Sequence, residues 1–347
     1  MTAAVVLLTA VACSSDDSDD DSVADTPTTT SSVVTSDSSP STTATTDAAA
    51  ATVQEYDVPP GSHPHDVAVE PDGTVWYTAQ GAGKLGRLEP ATGAVDEVEL
   101  GPGSRPHGVI IGPEGGLWVT DGGLDAIVRV DASTREVRTF PLPSGGNANL
   151  NTAVFDLNGT LWFTGQAGLY GRLARAGDRV ETFEAPGGQG PYGIAVTPGG
   201  DVYYASLAGN HLARVDLATG NAAVLEPPTP SQGTRRVWSD SEGSLWTSQW
   251  NAGQVAVYDP RADGWREWRL PGDAPQAYAV YVDDNDEVWL SDFGANALVR
   301  FDPATEEFTT YPLPSDPGEV RQLHGRPGEV WGAESAVDKL VVVRTTP

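Results

Sequence analysis

Cysteine is nearly absent: Cys13 is the only one in 347 residues. Without a second thiol, an intrachain disulfide and a cysteine-based metal site are both excluded. Basic residues are scarce as well, with 20 Lys and Arg against 48 Asp and Glu, a formal net charge of −28. Duplex nucleic acid needs a basic surface to neutralise phosphate, so it is excluded as a partner. The apolar run over residues 3–12 is too short to cross a bilayer. Nor does any stretch sustain a 3.6-residue apolar period, which removes helices and leaves strands.

What the chain does have is repetition. Trp76, Trp118, Trp162, Tyr203, Trp246, Trp289 and Trp331 follow one another at intervals of 42, 44, 41, 43, 43 and 42 residues. A period of this length with several strands per unit marks a β-propeller blade. Each unit reads strand, turn, strand, loop, strand, turn, strand. Turn signals recur at Pro71-Asp72-Gly73, Glu114-Gly115-Gly116, Asn158-Gly159, Pro198-Gly199-Gly200 and Glu242-Gly243. The last unit has three strands and then the chain ends. Residues 53–58 match the outer strands at 137–142 and 308–313 in character, and are expected to supply the missing fourth strand and cover an open edge. The expected fold is all-β, a seven-bladed β-propeller over residues 53–347 closed by its own N-terminal strand. The seven blade aromatics are expected to be core between blades.

The segment before the propeller has a different character. Residues 3–12 read as the apolar core of a signal peptide ending in small residues. Ala10-Val11-Ala12-Cys13 resembles the lipobox of bacterial lipoproteins, with Ala10 where Leu is usual and no Lys or Arg ahead of the run. That resemblance implies a lipidated Cys13 as the mature N-terminus. From residue 14 to 52 there is no aromatic and no basic side chain, while Asp16, Asp17, Asp19, Asp20, Asp21, Asp25, Asp37 and Asp47 add charge. Such a segment buries too little to offset its ordering entropy and is expected to be a disordered stalk. The resulting expectation is an extracytoplasmic monomer that touches the membrane only through a lipid on Cys13; a secreted, unanchored protein is the alternative.

A propeller places its site where the blades converge on the central channel. Eleven residues before the blade aromatic stand His65, His107, Asn151, Tyr192, Arg235 and Tyr278, with Arg321 one residue closer in the last blade. All carry a polar tip, amid strand positions that are mostly Val, Ile and Ala. Two residues earlier lie His63, Arg105, Asn149, Gly190, Gly233, Gln276 and Glu319. Three residues after the aromatic lie Ala79, Asp121, Gly165, Ser206, Gln249, Asp292 and Glu334. Closure of the ring is expected to bring His63, His65, His107, Asp121, Glu319, Arg321 and Glu334 into one sector. Histidine beside carboxylate supplies a base near operating pH or a mixed N/O metal site. The plainer reading is a wet channel whose lining is polar and nothing more.

Pro106-His107-Gly108-Val109, Gly116-Leu117-Trp118-Val119-Thr120, Asp292-Phe293-Gly294-Ala295-Asn296 and Tyr311-Pro312-Leu313-Pro314 together resemble the virginiamycin B lyase (streptogramin lyase) family, from about residue 53 to the C-terminus. The resemblance implies a seven-bladed propeller that linearises cyclic streptogramin B antibiotics by magnesium-assisted elimination across the ester. Such chemistry needs a base for the proton α to a carbonyl and a cation for the developing enolate. Carried over by position, Glu319 and Glu334 match the family's carboxylates and would suit Mg2+. The catalytic histidine falls on Arg321 and a substrate-contacting histidine on Tyr278. Arginine stays protonated and is no general base. His65 or His107 would then have to act as base, with Asp121 as carboxylate.

Two functions of different class follow. One is a Mg2+-dependent carbon–oxygen lyase on a lactone or cyclic depsipeptide, with His65, His107 and Arg321 as catalytic candidates. His63, Arg105, Asp121, Asn151, Tyr192, Arg235 and Tyr278 would then contact substrate. The other is a surface-anchored propeller that binds a small molecule, a peptide lactone or a partner protein at the channel mouth. A sugar-lactone hydrolase with a central calcium is a third reading, for which the Glu and Asn pattern is incomplete.

Overall fold

Turn chemistry at regular intervals cuts the chain into strands of four to seven residues, and these assemble into seven four-stranded antiparallel sheets. The computed structural model describes residues 51–143, 146–175 and 179–345. The expected signal peptide, the Cys13 lipobox and the stalk up to residue 50 lie outside the described residues. Blades 1 to 6 span residues 64–99, 106–141, 150–184, 191–225, 234–269 and 277–312, and each sheet runs in sequence order from the channel outward. Blade 7 holds strands Val320–Arg326, Glu329–Glu334 and Lys339–Arg344, with Thr52–Asp57 as its outermost strand.

The ring therefore closes as expected. Thr52 pairs with Arg344 and Asp57 with Lys339 in an unbroken antiparallel register. Side chains reinforce the join. Lys339 Nζ lies 2.6 Å from Glu55, Ser315 donates to the same carboxylate, and Tyr56 stacks on Trp331 at 5.4 Å. Burial would raise the Glu55 carboxyl, but the bonds from Lys339 and Ser315 outweigh it and hold the group below the usual range.

The blade aromatics are core between neighbours. Trp76 of blade 1 packs with Val109, Leu117 and Val119 of blade 2, and Trp331 packs with Val67, Val75 and Tyr77 of blade 1. A polar device adds to this. In every blade the innermost strand carries a β-bulge near its start, seen as a register shift such as that between Pro64 and Val67. A bulge leaves one backbone N–H without a ladder partner. In five blades a hydroxyl two residues after the aromatic accepts it: Thr78 from Asp66, Thr120 from Gly108, Thr164 from Thr152, Ser248 from Arg236 and Ser291 from Ala279. Four of these hydroxyls then donate to a carbonyl in the next blade, at His107, Asn151, Tyr192 and Tyr278. One side chain thus repairs the bulge and latches neighbouring sheets.

Replacing Thr78 by Val keeps the shape but leaves a buried N–H and a buried carbonyl unpaired. The expected loss is about 2 kcal/mol of unfolding free energy, read by chemical denaturation. An unchanged midpoint would show that the latch carries no stability.

Candidate functional site at the channel mouth

The bulge decides what enters the channel. In a regular strand, successive side chains alternate between faces. At the bulge two consecutive residues both reach the axis, so the expected ring gains a second layer: Asp66 beside His65, Thr152 beside Asn151, Arg236 beside Arg235. The offset from the blade aromatic does not show this layer, because spacing alone does not reveal where a strand's two-residue alternation is broken. The hydroxyl that marks the bulge, two residues after the aromatic, was the signal available.

These two layers fill the channel. His65 and His107 are 1% and 6% exposed, and their rings lie 3.7 Å apart between centroids. His65 Nδ1 donates to Asp66 Oδ1 at 2.8 Å. Arg236 reaches across from blade 5 to the same carboxylate at 2.8 Å, and also bonds Thr152 Oγ1 and the Arg321 carbonyl. Blades 1, 3, 5 and 7 are thus tied through one guanidinium. On the other side Tyr192 and Tyr278 share a hydroxyl contact of 2.6 Å, and Arg235 lies over the Tyr278 ring at 3.6 Å. Asn151 Nδ2 donates to His107 Nε2 at 3.1 Å. The expected wet channel is, at this level, a closed plug of side chains.

Burial holds the His65 imidazole well below its usual range, and the charges of Arg321, Arg236 and Arg235 push the same way. His107 is lowered for the same first reason, with His65 adding to it and Asp66 opposing. Both rings are therefore neutral at neutral pH. Geometrically His65, Asp66 and His107 form a possible metal-ligating group, with ligand atoms within 4.8 Å of one another. Three arginines around them make the pocket hostile to a divalent cation.

Above the plug is the mouth. His63, Arg105, Asn149 and Gln276 are exposed there, and Glu319 and Arg321 are partly buried. Arg321 Nη2 pairs with Glu319 at 3.1 Å, and its Nε donates to Ser335 Oγ at 2.7 Å. His63 Nδ1 meets the Ser335 carbonyl at 3.2 Å, so His63 joins the same corner. Trp250 and Phe293 continue the rim; Phe293 stacks on Tyr278 at 4.7 Å, and Trp250 meets the same ring edge-on at 5.5 Å.

Two expected members of the sector face elsewhere. Asp121 does not serve His107. Its Oδ1 accepts the backbone N–H groups of Arg105, Gly123 and Leu124, and its Oδ2 accepts from Ser104 at 2.5 Å. Asp292 does the same in blade 6 for Gln276, Gly294 and Ala295. Glu334 stands at the equivalent position of blade 7. One methylene longer, it overshoots the loop, and both of its oxygens are buried without a partner. His324 is structural: it accepts from the Val69 N–H across the blade 7–1 junction, and burial lowers it to about 4.

With the geometry in hand, kinship can be weighed. The sequence profile of the virginiamycin B lyase family matches residues 39–263. The chain belongs to that family. Among solved structures, a streptogramin B lyase shares 22% identity with a TM-score of 0.78, covering 85% of this chain and 98% of its own. Virginiamycin B lyase from Staphylococcus aureus shares 18% at a TM-score of 0.79, with coverages of 86% and 100%. A catalytically inactive form of that enzyme with quinupristin gives 20% and 0.78, again covering 86% and 100%. At these identities the likeness establishes the fold alone. No curated protein sequence matches.

The resemblance implies a magnesium ion held by Glu319 and Glu334, and of the two Glu319 fits it poorly. Glu319 is already held by a guanidinium. Burial raises Glu334 to about 8, with the Glu55 charge adding and Lys339 opposing, so its carboxyl carries a proton at neutral pH.

Because its folded value lies above the usual 4.5, Glu334 favours the folded state more as pH falls from about 8 to about 4.5. Above that window the buried charge is a cost. Glu334→Gln removes the titration, so the variant is expected to melt higher than the parent at pH 9 and to lose that advantage by pH 5. An identical offset at both values would refute the assignment. For the plug, Asp66→Asn leaves Arg236 buried without its counter-charge, an expected loss of about 3–5 kcal/mol measured by denaturation; a loss under about 1 kcal/mol would show the bridge to be dispensable.

Proposed function

We propose that this family member binds an acceptor-rich ligand of the peptide-lactone class at the channel mouth and releases it unopened. The observation that carries the reading is Arg321. At the position where the resemblance places the catalytic histidine, a permanent cation sits against Glu319 at 3.1 Å. It cannot accept a proton, and it occupies the carboxylate that would otherwise face a metal. The remaining candidate bases, His65 and His107, are buried in the plug behind it. What the mouth offers instead is donors, from Arg321 and Arg105, beside the half-buried aromatics Trp250 and Phe293. Ester and amide carbonyls are the natural partners of such a surface.

A lyase reading that uses His65 or His107 is favoured by one feature, the neutral imidazole pair on Asp66. Proton abstraction then requires the plug to open by enough to bring a buried ring within hydrogen-bond reach of substrate.

Quinupristin provides the test. Calorimetric titration of the full chain is expected to show saturable binding, weakened about tenfold in Arg321→Ala, the scale of one charge-assisted hydrogen bond. Elimination opens the ring without changing mass, so the recovered ligand must be checked by chromatography, with and without Mg2+. Intact ligand in both arms supports binding alone. A ring-opened product would restore the lyase, and absent binding would remove this ligand class.

A further inference from the structure

At the end of the propeller opposite the mouth, a cavity of about 310 Å³ opens in the groove between blades 2 and 3. Its apolar floor is Trp118 with Phe140 stacked at 5.7 Å and Phe155 edge-on at 5.7 Å. Its rim is basic: Arg129 lies 5.9 Å over the Trp118 ring, Arg138 lies 4.7 Å over Phe140, and Arg175 pairs with exposed Glu114 at 3.5 Å. Three arginines around one hole are unexpected in a chain with 20 basic and 48 acidic residues.

The repeat explains how the hole arises. In blades 1, 3, 5 and 6 the residue six before the tryptophan is an acid, Glu70, Asp156, Asp240 or Asp283, which accepts the indole N–H at 2.9–3.0 Å. Blade 2 has Gly112 there. Opposite the aromatic on the third strand, Arg87, Arg172, Arg214 and Arg300 each pair with a carboxylate, at 3.7, 2.7, 2.8 and 3.1 Å. In blades 4 and 6 that carboxylate, Asp201 or Glu287, stands two residues before the aromatic. Blade 2 has Gly116 there, and a Cβ on it would lie 3.0 Å from Arg129 Nε. Blade 6 carries both acids and most other blades carry one; blade 2 carries neither, yet its groove keeps the arginine and the aromatic floor.

We propose that this groove is a second ligand site, independent of the mouth, that takes a small monoanion with an aromatic body, an aromatic carboxylate. The ring would lie on the Trp118, Phe140 and Phe155 floor, and the carboxylate would meet Arg129 at the place where blades 4 and 6 carry their own acid. The cavity is at the small end of the range for such ligands.

The probe is 2-naphthoate, titrated into the full chain at low salt and followed by tryptophan fluorescence and calorimetry. The expected result is saturable one-site binding that falls about tenfold for neutral 2-naphthamide and about tenfold in Arg129→Gln. Gly116→Glu returns an acid to Arg129 and is expected to abolish binding while leaving the melting temperature unchanged. Should that variant fail to fold, Arg129→Gln at the rim still decides the matter. Arg321→Ala is expected to leave naphthoate binding unaltered, which separates this site from the mouth. The proposal is overturned by the absence of saturation up to on the order of millimolar probe. Equal affinity for acid and amide, or loss of binding in Arg321→Ala, would overturn it too.

Discussion

The β-bulge at the head of each innermost strand is the constraint on which the rest of the structure depends. It breaks the two-residue alternation at the point where the blade enters the channel, so that two neighbouring side chains face the axis. The broken ladder would cost a buried N–H in each blade. Thr78, Thr120, Thr164, Ser248 and Ser291 accept that N–H, and four of them grip the next blade's carbonyl as well. Without the bulge Asp66 and Arg236 would point into the sheet faces and could not meet at 2.8 Å across the axis. Without that bridge the three arginines and two histidines of the channel could not be packed so closely.

The plug in turn sets the chemistry available. Arg236 neutralises Asp66, and the ionised Asp66 fixes the His65 tautomer by accepting from Nδ1. His107 has its Nε2 taken by Asn151, while its Nδ1 is buried without a partner. A propeller that abstracts a substrate proton needs an imidazole lone pair at the surface of the mouth. Of the channel histidines His63 stands at the mouth, its Nδ1 donating to the Ser335 carbonyl, while His65 and His107 are buried and the position the resemblance gives to the base carries Arg321.

Much of the fold was legible because it rests on period and turn chemistry, which local sequence carries. The aromatics at near-constant intervals, the Gly-containing turns and the strand at 53–58 that closes blade 7 are all local signals, and the sheets form where they indicate. The ring of residues from His65 to Arg321 was legible for the same reason. What could not be read was side-chain direction. Asp121 and His107 lie on adjacent strands, yet the carboxylate turns away to satisfy three loop amides, and nothing in the spacing distinguishes a ligand from a cap. Asp66 and Arg236 were hidden by the bulge, and the plug they form appears only once blades 1 and 5 face each other across the axis.

In a repeat protein the informative positions are those where one unit departs from the others, since the common pattern already accounts for folding. Three departures stand out, and each changes charge at a place that is partly or wholly dry. Arg321 puts a cation where the resemblance places a base. Glu334 lengthens by one methylene an acid that caps loops in blades 2 and 6, and so strands a carboxyl that burial keeps protonated. Gly112 and Gly116 stand at two positions where other blades carry an acid, and leave Arg129 beside an aromatic floor. Against a net charge of −28, solvent-exposed anions repel other anions only weakly at physiological salt, because their field is screened over about 8 Å. Partly buried arginines escape that screening. The acidic exterior and the partly buried Arg129 and Arg321 are therefore compatible: the charge that governs solubility is spread over the outside, and these two cations stand partly out of water.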